Sequence, residues 1–396
     1  MEREIGIGVI GFGWMGRVHA SSYRRVIEHF PGIGVRPRLV VAADVSPERR
    51  AQAERVGFAA TTDDWRAVIE HPDVEVVSIT LPNARHRAVA IAAIEAGKQV
   101  WVEKPVGRGL EDTVAVAEAA RRAGVLTNVG FCYRFAPAVQ HARALIGAGR
   151  IGDVTHYRGV FLADYANRPD AAASWRFRRE DAGSGALGDL MAHVVDMAHF
   201  LVGPIDRLSG RTATMVPRRP PMPAGEGTHF SRVATDELVD VENEDWAGAL
   251  FQFAGGTVGS LEASRVIVGP RVQMRFEVHG TRGAMTWELE RMNELERFQL
   301  SDDGADEGYT TIVVGPQHGD FAAFQPGAGV PMGYDDLRVI EAKSFLEAVR
   351  DGEQREPGVD EMVACARVLE AIERSSDSGA WEAVDRSPAL APEAVR

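Results

Sequence analysis

The stretch "IGIGVIGFGWMGRVHA", residues 5–20, decides how the rest of the chain is read. Ile5, Ile7, Val9 and Ile10 form a short, β-branched apolar run. Gly11, Gly13 and Gly16 follow in the spacing G-x-G-x-x-G, and Met15, Val18 and His19 open a helical pattern. Strand, tight turn and helix are predicted in that order. In a dinucleotide-binding unit the first glycine permits the turn and the second lets backbone approach a pyrophosphate. The third lets helix pack closely on strand, with the phosphates at the helix N-terminus. The plain alternative is a compact strand-to-helix corner that binds nothing. On the first reading Gly11, Phe12, Gly13, Trp14, Met15 and Gly16 are the cofactor cradle.

A second mark of such a unit is an acidic residue ending the second strand. In "RLVVAADVSPERR" Leu39–Ala43 is the apolar strand and Asp44 stands at its end, 28 residues beyond Gly16. The usual interval is about 20, and the inserted "HFPGIGVRPR" accounts for the excess as a longer loop. A carboxylate there accepts ribose hydroxyls and repels a 2′-phosphate, so NAD is the expected cofactor. Arg49 and Arg50 keep NADP as the alternative. The bland reading makes Asp44 the start of a turn, with Ser46-Pro47-Glu48 as helix cap and first turn.

At 396 residues, 45% hydrophobic and 26% charged, the chain has the make-up of a soluble globular protein of two domains. Cys132 and Cys365 fit neither a disulfide framework nor a metal-ligand pattern, which suits a reducing cytoplasm. Charged "MERE" leads straight into a core strand, so no leader segment is expected, and no apolar run reaches the ~20 residues of a membrane span. A net charge of −13 argues against nucleic acid or an anionic membrane as partner. A small neutral substrate fits better.

From 1 to 130 strand and helix patterns alternate. "VEVVSITLP" (74–82), "QVWVEKP" (99–105) and "VLTNVGF" (125–131) read as strands, and 86–98 and 110–124 as helices. This is the grammar of a doubly wound parallel sheet, whose ligands sit at the carboxyl ends of the strands. Past residue 150 come long strand-like runs with hairpin turns at Ala254-Gly255-Gly256 and at Gly280–Gly283. The fold expected is α/β: an N-terminal Rossmann domain over 1–130, then an α+β domain over 131–396 with a large, mostly antiparallel open sheet. Helices are expected over 334–350 and 359–374. "MPAGEGTHFSR" (222–232) reads as a mobile loop and "RSPALAPEAVR" (386–396) as a loosely held tail.

Two further stretches carry chemistry. Glu103, Lys104 and Pro105 lie just past "QVWV", at the sheet edge where a nicotinamide ring is expected. A cis peptide before Pro105 would aim the lysine inward, whereas most lysines after a strand are surface residues. In "GSGALGDLMAHVVDMAHFLVG" (183–203), Asp189, His193 and Asp196 fall at i, i+4 and i+7 on one helical face. His199 lies off that face and the H-E-x-x-H pattern is missing, so no metal is expected. Acid–base work by Asp189 and His193 is the functional reading; a buried histidine satisfied by a carboxylate is the structural one.

The glycine fingerprint, E-K-P after a later strand and D-x-x-x-H opening a second-domain helix together resemble the Gfo/Idh/MocA oxidoreductases. "TLPNARH" (80–86), "FCYRFAPAV" (131–139) and "HGTRGAM" (279–285) extend the resemblance along nearly the whole chain. Within that family "SWRF" and the helix after it are most similar to anhydrosugar-oxidising sugar dehydrogenases of the levoglucosan type. The resemblance implies Lys104, Asp189 and His193 as the catalytic set, and Pro82, Asn83, His86 and Glu103 beside the cofactor. It implies substrate contacts from Lys104, Tyr133, Asp164, Trp175, Arg176, Asp189 and His193. Chemistry supports this, because oxidising a secondary alcohol needs a base near neutral pH and a donor for the developing alkoxide. Cys132 stands where similar proteins have asparagine, and Asp164-Tyr165 departs from the levoglucosan-type pattern, which leaves the sugar open.

The expected activity is therefore NAD-dependent oxidation of a secondary ring hydroxyl, at C3, of a sugar or anhydrosugar, in a cytoplasmic homo-oligomer, a dimer or tetramer, assembled through the exposed face of the second sheet. Alternatives are an inositol or polyol dehydrogenase, a redox-neutral NAD-dependent glycoside-cleaving enzyme, and a non-catalytic dinucleotide-sensing regulator. The last needs no lysine–histidine pair.

Overall fold

The computed structural model describes residues 3–223, 230–301, 304–305 and 307–386. The loop expected at 222–232 and the tail at 386–396 lie largely outside the described residues.

The run that opens the chain forms β1 (Arg3–Ile10), with Ile5, Ile7, Val9 and Ile10 all buried. It continues through α1 (Trp14–His29), β2 (Val35–Ala43), α2 (Pro47–Arg55), β3 (Ala60–Thr62) and α3 (Trp65–Glu70). β4 (Val76–Ile79), α4 (Asn83–Glu95), β5 (Gln99–Val102), α5 (Leu110–Ala123) and β6 (Thr127–Val129) complete the alternation. All six strands pair in parallel, in the order β3-β2-β1-β4-β5-β6. That is the doubly wound dinucleotide-binding order, with the topological switch beside β1. Ser46 caps α2 by accepting from the Arg49 N–H at 3.3 Å, with Pro47 at the first helical position.

The rest of the chain comprises α6 (Pro137–Gly147), β7 (Val154–Ala163), α7 (Arg179–Ala182), a π-helical turn (Leu187–Met191), α8 (Ala192–Leu201) and β8 (Ile205–Ala213). Two short strands, β9 (Arg218–Arg219) and β10 (Val239–Asp240), precede β11 (Trp246–Phe253), β12 (Val258–Ser264), β13 (Val272–Gly280), β14 (Gly283–Glu288), β15 (Glu294–Gln299) and β16 (Tyr309–Val313). α9 (Tyr334–Asp351), α10 (Val359–Ser378) and β17 (Glu382–Ala383) follow. Nine of these strands form one sheet in the order β16-β15-β14-β13-β7-β12-β11-β8-β17. Its pairings are antiparallel except β7 with β12, and both expected hairpin turns join antiparallel neighbours. Helix α8 covers one face, packing on β7, β12 and β13.

The compact units do not follow a single boundary at 130. The first unit runs through Phe135 and regains Met332–Val363; the second holds Ala136–Pro331 and the chain from Ala364. Returning α9 packs on α1, and the segment after it finishes the exposed edge of β6. Gln354 Oε1 accepts from the Thr127 N–H at 2.9 Å, and the Pro357 carbonyl accepts from the Val129 N–H at 3.0 Å. An unpaired strand edge in the first unit thus recruits chain from two hundred residues away.

Candidate active site

In the first unit the three glycines do different work. Gly11 has φ +90°, a conformation that disfavours a side chain. A Cβ on Gly16 would meet the Gly11 carbonyl oxygen at 2.2 Å, so the close helix approach requires glycine there. Around Gly13 nothing lies within 4 Å of such a carbon. Gly13 is also the N-cap of α1, which has no side-chain cap and no acidic residue in its first turn. Open space against uncapped N–H donors fits a pyrophosphate.

Asp44 ends β2 and is buried. Its Oδ2 accepts from the Phe12 N–H at 2.7 Å and its Oδ1 from the Ser46 N–H at 2.9 Å, which ties the glycine loop to the strand end. Of the two arginines weighed for a 2′-phosphate, Arg50 donates to the Asp44 and Val45 carbonyls, and Arg49 lies 3.6 Å from Asp44 Oδ2. Both are drawn to the Asp44 corner.

Lys104 follows β5, and its peptide bond to Pro105 is cis. Anchors flank it on both sides. The Pro105 carbonyl lies 2.8 Å from His86 Nδ1, while His86 Nε2 lies 2.7 Å from the Leu81 carbonyl. His86 is buried, and burial lowers its pKa despite both carbonyls. Both ring nitrogens face backbone, so the ring braces the 81–86 loop against Pro105. Pro82 and Asn83 begin α4 in the same loop.

The Glu103 carboxylate turns into the protein. Oε1 lies 2.9 Å from Arg338 Nη2 and 3.0 Å from His19 Nε2, and both oxygens fill the space where Gly130 lacks a side chain. Burial would raise this carboxyl, but the Arg338 guanidinium and then His19 outweigh it and hold the group well below the usual carboxylate range. Arg338 also pairs with Glu341 at 2.7 Å, and Asn128 donates to Glu341 at 3.1 Å. Burial carries the Glu341 carboxyl up to about 7 against the pull of Arg338. Arg338 Nε donates to the Tyr334 hydroxyl at 3.2 Å, and the Tyr334 ring stacks on Trp14 of the glycine loop at 6.0 Å. Tyr133, in a buried turn (Cys132–Phe135), lies 6.3 Å from the same ring. Beside it, burial pushes the Cys132 thiol up to about 12, which makes it an inert neighbour.

The second unit holds the other half of the predicted set. Asp189 sits in the π-helical turn, a distortion common at functional sites, and His193 in the first turn of α8. Glu244 fixes the start of that turn by accepting from the Gly185 and Leu187 N–H groups at 2.6 and 2.9 Å. Tyr165 donates to Asp189 Oδ2 at 3.0 Å, and Arg176 Nε lies 3.7 Å from the same oxygen. The Arg176 guanidinium rests 4.4 Å over the Trp175 ring. His193 is buried, with its ring 5.9 Å from Phe161. Asp164, expected to bind substrate, pairs with exposed Arg271. Asp196 is buried in α8, and among the described residues no group of three or more His, Cys, Asp or Glu side chains could hold a metal ion.

Beneath this half lies a support that sequence reasoning missed. Arg265 donates to Asp245 at 2.8 Å and to Asn243 Oδ1 at 2.9 Å, and Asn243 donates to the Arg176 carbonyl at 2.9 Å. Arg219 donates to the Ala166 and Arg168 carbonyls. Thus the loops bearing Tyr165 and Arg176 hang on one buried cluster. Arg338 and Glu341 were missed likewise, although one signal existed: both fall on the apolar stripe of α9 with Phe345.

A parallel sheet in this order, an open glycine cradle and an acidic strand end define a dinucleotide-binding oxidoreductase. Residues 5–131 match the model of the oxidoreductase family with the NAD-binding Rossmann fold, and residues 139–286 that of the GFO/IDH/MocA C-terminal domain. The chain belongs to the Gfo/Idh/MocA family.

Among its relatives, levoglucosan dehydrogenase of Pseudarthrobacter phenanthrenivorans is 36% identical over 383 residues, 96% of this chain and 98% of that protein. The solved structure of levoglucosan dehydrogenase with NADH and levoglucosan matches with a TM-score of 0.91 at 35% identity, over 97% of this chain and 100% of that one. The NAD-dependent scyllo-inositol 2-dehydrogenase of Bacillus subtilis is 30% identical over 72% of this chain and 74% of its own.

Proposed function

We propose that this protein oxidises a secondary ring hydroxyl, at C3, of a sugar or anhydrosugar such as levoglucosan to the keto sugar, with NAD as hydride acceptor. The observation that carries the reading is the placement of Asp189 in a π turn and of His193 four residues on, in the first turn of α8, in a chain whose first unit carries Lys104 after β5. Similarity to levoglucosan dehydrogenase along 96% of the chain supports the substrate class.

The cradle at Gly11–Gly16 holds the pyrophosphate and Asp44 the ribose; bound NAD supplies the acceptor for the hydride leaving the sugar carbon. The Lys104/His193 pair removes the hydroxyl proton, with the lysine ammonium hydrogen-bonding the oxygen as alkoxide charge develops. Asp189 orients that pair. Trp175 offers an apolar face for a ring, Arg176 and Tyr133 polar contacts. The second unit supplies most of the substrate side, and the open face of the nine-stranded sheet, with Leu250 and Val258 exposed, the homo-oligomer contact in a cytoplasmic enzyme. No helix among the described residues is long and apolar enough to cross a membrane. A second reading, an inositol or polyol dehydrogenase, draws on the scyllo-inositol relative.

The test follows reduced cofactor with NAD and NADP against levoglucosan, glucose, xylose, myo-inositol and an aryl glucoside. NADH formation with levoglucosan, lost by at least about 100-fold in Lys104→Ala, is expected. Turnover on myo-inositol alone favours the second reading. Glycoside cleavage without accumulated NADH identifies the redox-neutral enzyme, and tight NAD binding without turnover the regulator.

A further inference from the structure

Tyr165 stands two residues beyond β7, in the loop that also carries Asp164. Its neighbours leave the loop little freedom. The Asp164 N–H donates to the Arg271 carbonyl at 3.2 Å, the Ala166 N–H to the Arg265 carbonyl at 3.0 Å, and Arg219 holds the Ala166 carbonyl at 2.6 Å. From that clamped position the phenol donates to Asp189 Oδ2 at 3.0 Å, the oxygen that Arg176 Nε approaches to 3.7 Å. Burial and then the Asp189 charge raise the Tyr165 pKa far above its ordinary value, so the hydroxyl remains a donor.

We infer that Tyr165 is a positioning residue for Asp189 and not a sugar-hydroxyl contact: with Arg176 it fixes the carboxylate's rotamer through Oδ2 and favours its ionised form. The inference rests on the reading of Asp189 as the carboxylate that works with His193. A phenol hydrogen bond and a guanidinium 3.7 Å away on one oxygen restrict rotation about the Cβ–Cγ bond, and a donated hydrogen bond and a nearby cation each favour the anion over the acid. Among the described residues, the charged and titratable groups placed around this carboxylate include Tyr165 and Arg176, Arg265 behind Tyr165, His193 one turn on and Glu244 at the start of the π turn. Losing the phenol removes a donor from Oδ2 and leaves the Arg176 guanidinium beside it.

The test compares full-length wild type and Tyr165→Phe, a change that keeps the ring and its packing. Expected are a kcat lower by roughly tenfold, a sugar KM within about twofold, and an acid limb of the kcat profile moved up by about 0.5–1 pH unit. A raised KM with unchanged kcat would make Tyr165 a substrate contact and overturn the inference, as would superimposable profiles. A readout independent of turnover is the carbon-13 titration of the Asp189 carboxyl, assigned by its loss in Asp189→Asn. An upward move in Tyr165→Phe supports the inference and an unmoved titration overturns it, even if wild type reduces NAD with none of the sugars, a result that would count against the proposed reaction instead.

Discussion

Both units bury arginine beside carboxylate, with opposite balances of charge. In the first, Arg338 lies between Glu103 at 2.9 Å and Glu341 at 2.7 Å, one cation to two acids. In the second, Asp245 lies 2.8 Å from Arg265 and 4.0 Å from Arg219, one acid to two cations. A carboxylate can relieve an imbalance by taking a proton, whereas a guanidinium cannot shed one. The acid-rich cluster accordingly holds Glu341 near neutrality, at about 7. The cation-rich cluster directs donors to the carbonyls of Ala166, Arg168 and Asn243 and lays both guanidiniums against Phe177, at 4.1 and 5.0 Å. One cluster is built to titrate, the other to hold loops.

The largest test removes the central cation of each. Arg338→Met removes the cation that lies between two buried carboxylates, and Arg265→Met the nearer of the two cations on Asp245, so each is expected to lower stability by up to about 3–5 kcal/mol by thermal or urea unfolding. The functional damage should separate: NAD affinity falls in Arg338→Met, through the Glu103-Lys104 segment and the Tyr334–Trp14 stack, while Arg265→Met raises the sugar KM and leaves NAD affinity intact. Equal loss of NAD affinity in both variants would break the comparison.

A smaller effect sharpens it. The folded Glu341 value lies above its ordinary 4.5, so the native state retains a proton that the unfolded chain releases. That stabilisation is complete below about 4.5 and is lost as pH rises to about 7. Glu103, held low, acts in the opposite sense: its contribution is present above the ordinary carboxylate range and disappears at strongly acid pH. Glu341→Gln should therefore remove, on the order of 1–3 kcal/mol, the decline in stability between those two pH values, measured as melting temperature against pH. An unchanged slope would place the titration elsewhere. The smallest effect is a control: Ser46→Ala removes the cap of α2 and should cost about 1 kcal/mol with no change in the pH slope.

Where the chemistry is carried by contiguous motifs, the chain could be read directly. The first strand and its glycines, Asp44 at the end of β2 and the Ser46-Pro47 cap occupy the elements expected of them, because strand, turn and cap signals act among near neighbours; Asp189, expected on a regular helix, falls in a π turn before it. Side-chain direction was less legible. Glu103 and His86 sit in the expected motifs, yet point at Arg338, Pro105 and Leu81, partners 235, 19 and 5 positions away in the chain. Asp164 likewise answers to Arg271.

By itself the sequence determined the parallel sheet, the glycine turn and the open second sheet, since apolar period, turn residues and helix caps act locally. Only the tertiary structure decided that Met332–Val363 returns to the first unit, that Glu103 is an interior anion and that Tyr165 serves Asp189. A buried charge or an unpaired strand edge must find a partner wherever the chain can deliver one, and that partner is chosen by packing in space, without regard to separation along the sequence.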